Sequence, residues 1–112
     1  MADPRTLALT RMLDDIEAEL RSLGSWSGQP PDEQAFASSM PFFADQMRFE
    51  EWLQWVLVAR FRALLDGDLP LPERCQIAPM AEEALLLPGQ DVSRVLALLH
   101  QLDALFSDDQ TF

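Results

Sequence analysis

The segment from about Asp45 to Leu65 constrains this chain more than any other part of it. Drawn as a wheel at 100° per residue with Trp52 at 0°, its apolar side chains run from Trp55 at about 300°, through Ala59, Ala63, Val56, Phe49, Leu53, Leu64 and Leu57, to Phe61 at about 180°. An apolar arc of about 240° is much wider than the stripe of a helix lying on a protein surface. Such a helix must be enclosed by other elements, and the rest of the chain has to supply them. The remaining strip of the wheel holds Glu51, Gln54, Val58, Arg62 and Leu65.

The enclosing elements also read as helices. The first is expected to start at an Asp3-Pro4 pair and stop at Gly24, because proline suits the first helical position and glycine the position past the end. Leu9, Leu13, Ile16, Leu20 and Leu23 recur within it at alternating spacings of four and three, an arc of only about 100°. A Gly/Ser/Pro loop over 24–31 carries Trp26, which either caps the end of the core or is an exposed recognition side chain. Asp32 to Ser38 is expected to form one short helical turn, and Phe42 and Phe43 to plug an end of the bundle. The prolines of Leu69-Pro70-Leu71-Pro72 bar helix at the residues before them, so this is an extended connector. A third helix is expected from Pro79 to Leu87, ending at Pro88-Gly89. A fourth runs from an Asp91 cap to about Phe106. No segment alternates with period two for the length of a strand. The fold expected is all-α, a compact single-domain bundle over 1–112 with three main helices and one short one. Its ordered core is about 4–106, and 107–112 is an acidic tail.

Two charges break the apolar pattern. Arg60 falls at about 80° on the central wheel, between Phe49 and Leu53. Asp103 falls inside the Val92, Val95, Leu99, Leu102 stripe of the last helix. A lone buried charge is very costly, so the two are expected to form a buried ion pair across the helix interface. The alternatives are that they reach the edge of the bundle, or that Arg60 lines a pocket for an anionic ligand.

Residue types argue against chemistry. The 112-residue chain holds one histidine, His100, and one cysteine, Cys75, 25 residues apart, which is no basis for a zinc site or a nucleophile–base arrangement. The acidic pairs Asp14-Asp15, Glu50-Glu51, Glu82-Glu83 and Asp108-Asp109 point about 100° apart on a helix and cannot jointly grip an ion. Four scattered glycines make no phosphate loop. No catalytic residue, metal or cofactor is expected, and the chain reads as a non-enzyme. Its formal charge is −11, with eight arginines and no lysine, which opposes direct binding to nucleic acid. Residues 1–62 carry −4 and 63–112 carry −7, so a basic partner is expected at the second half. No secretory leader pattern or membrane-length apolar run is visible, and the lone cysteine fits a reducing compartment. The expected location is cytoplasmic, away from membranes.

What remains is recognition. Trp55 sits at the apolar margin of the central wheel beside Glu51 and Arg62. An aromatic among charges at such a margin suits a partner-binding hot spot, and equally a half-buried core tryptophan.

The run Pro41-Phe42-Phe43, then 51–57 (Glu-Trp-Leu-Gln-Trp-Val-Leu) with Arg60, then Leu64-Leu65-Asp66 and Leu69-Pro70-Leu71-Pro72, resembles the YqcC-like family of small proteobacterial proteins. Ala78-Pro79 and 102–106 (Leu-Asp-Ala-Leu-Phe) extend the likeness to most of the chain. The stretch Arg48-Phe49-Glu50 lacks the proline usual at this place, so the helix is expected to start earlier. The resemblance implies an all-helical bundle of unknown function, often encoded beside a tRNA pseudouridine synthase of the C type and sometimes a flavodoxin-like protein. It supplies no catalytic residues. The function expected is a non-catalytic interaction protein, linked through that neighbourhood to tRNA pseudouridine modification. The alternatives are a bundle that binds a small anionic ligand through Arg60, or a self-associating homodimer.

Overall fold

The narrow leucine stripe of the first helix determines how it lies. The computed structural model describes residues 4–43, 46–85, 87 and 89–106, and in it α1 spans Thr6–Ser22. Leu9, Leu13, Ile16 and Leu20 are fully buried, each worth about 1.5–3 kcal/mol relative to exposure. The helix ends where glycine allows it. Gly24 takes φ +72°, and the Ser25 amide donates back to the Leu20 carbonyl at 2.8 Å, closing a Schellman turn. At the other end the helix begins two residues after Pro4. Asp3, the expected cap, lies outside the described residues.

The loop over 24–31 is anchored at two points. Trp26 packs against the core with the Arg21 guanidinium 5.2 Å from its ring, as a core cap would. Ser27 is held by Gln54, whose Oε1 accepts from the Ser27 amide at 2.8 Å and whose Nε2 donates to the Ser27 carbonyl at 2.6 Å. Gln54 falls on the polar strip of the central wheel, yet it is 6% exposed. The loop covers that strip and borrows its amide to satisfy a backbone pair. Gln54→Ala strands both backbone groups; it should cost about 2 kcal/mol in urea unfolding and speed amide exchange at Ser27.

Glu33–Ala37 is a 3-10 turn capped by the Asp32 carboxylate, which accepts from the Gln34 amide at 3.2 Å. A second such turn covers Pro41–Phe43. Phe42 and Phe43 both sit in the left-handed region, at φ 59° and 52°. That conformation is unfavourable for a bulky residue, and ring contacts offset it. Phe42 lies 4.8 Å from Trp52 and 5.7 Å from Phe49, and Phe43 meets Phe36 edge-on at 6.5 Å.

The central helix is not uniform. It comprises α2 (Phe49–Trp52), a π-helical stretch over Leu53–Val58, and α3 (Ala59–Asp66). It starts at Phe49 and not earlier, because Arg48 is extended (φ −71°, ψ 158°) and the Glu51 carboxylate accepts from the Arg48 amide at 2.8 Å. Asp45, where the start was expected, lies outside the described residues. A π-helical turn adds one residue to the helix, so everything after it lags the 100° wheel by about 100°. That lag corrects the reading of Arg60. Arg60 turns out to solvent with Ala59 and Ala63, while Phe61 takes the core side with Phe49 and Leu53. The helix stops after Asp66, with the Leu69 amide donating to the Leu64 carbonyl at 2.9 Å; the left-handed residue is Asp68, not the neighbouring glycine.

The connector leads to α4 (Ala78–Ala84), and α5 (Ser93–Leu105) closes the bundle. The Asp91 carboxylate accepts from both the amide and the hydroxyl of Ser93, at 2.9 and 2.6 Å, which holds its own pKa below the usual range. Helix α4 ends three residues short of the expected Leu87. Pro88 lies outside the described residues, as do 107–112. Against α1 lie Val95, Leu98, Leu99 and Leu102 of α5 and Leu53, Leu57 and Phe61 of the central helix, forming one core. Phe106 seals it, stacked on Phe61 at 5.3 Å with the Arg5 guanidinium 4.8 Å above its ring. The fold is all-α, with three main helices and the short α4. No strand occurs among the described residues, and no described helix is long and apolar enough to cross a membrane.

Candidate functional site

The expected pair of Arg60 and Asp103 does not form, and each side chain has another role. Asp103 is half-buried on the side of α5 that faces the start of α4. Its carboxylate accepts from the Ile77 amide at 2.9 Å and from the Ala78 amide at 2.8 Å. Proline at 79 has no N–H, so these two donors are most of what the first turn of α4 leaves unpaired. The Cys75 thiol also faces this carboxylate. Burial first, and then the hydrogen bond to Asp103 and its charge, push that thiol far above its ordinary range, so it stays protonated. A backbone partner for a carboxylate leaves no trace in side-chain patterning, which reveals only candidate side-chain partners such as an arginine.

Arg60 is exposed, 5.9 Å from the Phe43 ring, and makes no ion pair among the described residues. It stands on the rim of a groove of about 390 Å³ between the central helix and the connector over 72–77. Val56, Leu57, Phe61 and Leu64 form the floor, and Trp52 closes one end. Arg74, exposed on the connector, stands on the rim as well. Val56 and Leu57 come from the π-helical stretch, a distortion frequent at functional sites. The groove is apolar below and cationic at its edge, in a chain of net charge −11.

The three residues expected at a partner-binding margin have different surroundings. Arg62 reaches α1, donating to Asp14 at 3.2 Å and lying 2.6 Å from Glu17. With Arg21 at 2.7 Å, and then Arg62, Glu17 is held below the usual carboxylate range. Arg62 is thus a staple between helices. Glu51 caps the central helix at the Arg48 amide. Trp55 is half-buried, and its indole N–H is buried without a hydrogen-bond partner among the described residues. His100 lies on the surface with its Nε2 2.9 Å from Glu82. Among the described residues no three acidic, histidine or cysteine side chains gather as metal ligands would.

Known proteins resemble most of the length of this chain. Residues 8–105 match the DUF446 family, described as tRNA pseudouridine synthase C. "Uncharacterized protein YqcC" of Escherichia coli K12 is 44% identical over 97 residues, covering 87% of this chain and 89% of its own. The chain belongs to the YqcC-like family. An "Uncharacterized protein" of Haemophilus influenzae is 35% identical over 98 residues, 88% of this chain and 92% of that one. The solution NMR structure of YqcC from E. coli superposes with a TM-score of 0.79 at 39% identity, covering 98% of this chain and 94% of that one. A protein of Pectobacterium carotovorum with the name tRNA pseudouridine synthase C is 53% identical over 60 residues, which are 54% of this chain but 16% of that one. A YqcC-like segment is therefore a small part of that longer chain.

Proposed function

We propose that this YqcC-like chain is a non-catalytic interaction protein that works with a tRNA pseudouridine synthase of the C type. The observation that carries the reading is the 60-residue segment, 53% identical to this chain, within a chain named for that synthase. Two units found in one polypeptide in one organism commonly meet as separate chains in another. The site chemistry supports a binding role. The one cysteine is half-buried and held protonated beside Asp103, so it is not placed as a nucleophile. The charge supports it too: an acidic protein complements the basic surface that an RNA-modifying enzyme needs for its substrate.

The test is a titration of the purified synthase with the full chain by isothermal calorimetry. Micromolar or tighter binding is expected at 50 mM salt, weakening about tenfold or more at 500 mM as the charges are screened. No heat of binding at either salt removes the reading.

A further inference from the structure

We propose that the groove between the central helix and the 72–77 connector is the docking site of the chain's own residues 107–112, an acidic strap over the apolar floor. The inference goes beyond the partnership above and needs no partner in the groove. One support is the place where the chain leaves the described residues. Phe106, the last of them, stacks at 5.3 Å on Phe61, and Phe61 is part of the groove floor. Arg5 ties the same end of α5 to the connector: its guanidinium lies 4.8 Å above the Phe106 ring, and its Nη1 donates to the Pro72 carbonyl at 3.1 Å. One turn back, Asp103 holds the amide of Ile77, a residue of the groove wall. The chain therefore leaves α5 one side-chain layer from the groove. The segment 107–112 reaches up to about 20 Å when extended, and the floor from Phe61 to Trp52 runs roughly 14 Å along the helix axis.

The other support is composition. Residues 107–112 read Ser-Asp-Asp-Gln-Thr-Phe, two carboxylates followed by an aromatic ring. The groove suits both. Its floor of Val56, Leu57, Phe61 and Leu64 is apolar, and a volume of about 390 Å³ has room for the Phe112 ring. Arg60 stands on the rim, exposed and without an ion pair among the described residues; the π-helical turn puts it there and leaves Phe61 beneath it. A carboxylate of Asp108 or Asp109 gives this guanidinium a partner. In a chain of net charge −11 an acidic segment is repelled by most of the surface and drawn to a rim that carries arginine. The tether holds the segment at roughly millimolar effective concentration, so a single ion pair and one buried ring suffice to seat it. With the strap seated, the cationic rim presents acid to a basic partner instead of like charge.

The experiment compares the ¹⁵N-labelled full chain with a variant that stops at Phe106. Loss of the strap should shift the amides of Val56, Leu57 and Arg60, which lie along the groove away from the end of α5. It should also raise the fluorescence of the neutral apolar dye Nile red severalfold as the floor opens. A free peptide of residues 107–112, added to the shortened chain at roughly millimolar concentration, should restore the shifts, and the same peptide with Phe112→Ala should not. Two full-length variants, which delete nothing, carry the test even if the shortened chain fails to fold. The double variant Asp108→Asn, Asp109→Asn should reproduce part of both changes, and so should Arg60→Glu, because each removes one side of the ion pair. Arg60→Lys should keep the strap seated. Shifts confined to residues beside Phe106 overturn the proposal, as does dye fluorescence unchanged by truncation or by both charge variants. Shifts that vary with protein concentration assign the segment to a groove on a second copy, and also overturn it.

Discussion

Asp103→Ala is expected to lower the unfolding free energy by about 3 kcal/mol and the melting temperature by roughly 10–15 °C. The loss is large because the carboxylate is the partner of the Ile77 and Ala78 amides at 2.8–2.9 Å, where α4 begins. Its removal leaves two half-buried donors without an acceptor and unties α4 from α5. Asp103→Asn keeps an acceptor oxygen but loses the charge and the second oxygen, so about half that cost is expected. Chemical denaturation of the three proteins, with hydrogen exchange read at Ile77 and Ala78, decides it. An alanine variant within 1 kcal/mol of the parent would show that Asp103 does not anchor α4.

The second large effect tests the register of the central helix. Phe61→Ala should cost about 3–4 kcal/mol, since Phe61 is 6% exposed and stacked on the fully buried Phe106. Arg60→Ala, one residue away, should change stability by less than about 0.5 kcal/mol. A uniform α-helix predicts otherwise, because it puts Arg60 between Phe49 and Leu53. Urea melts of both variants measure the contrast. An Arg60 cost above 2 kcal/mol would restore the uniform helix.

The elements were legible where local chemistry dictates them. The leucine spacing of α1, its stop at Gly24, the Asp91 cap of α5 and the proline connector are all written in neighbouring residues. The enclosed character of the central helix was legible for its first half, where Gln54 and Val58 of the polar strip are buried too, but Ala59 and Ala63 of the expected apolar arc are exposed. The candidate site was less so. Arg60 and Asp103 stood out as charges within apolar stripes, but they do not pair: Asp103 takes two backbone amides and Arg60 faces solvent. Nothing near them in the chain reveals that a carboxylate will take two amides some 25 residues away, or that a distant connector will form a groove wall.

The fold class of this YqcC-like protein follows from its sequence alone, because a helix apolar around most of its circumference needs helical neighbours, and helix periods and caps are local properties. The tertiary structure decided where each face points. A π-helical turn depends on how the whole helix packs, and one extra residue in it rotates every later side chain by about 100°. Burial of Gln54, exposure of Arg60 and the backbone partners of Asp103 all depend on segments brought in from elsewhere in the chain. Charge in a sequence shows which residues need a partner; only the packed fold shows which partner, or solvent, they meet.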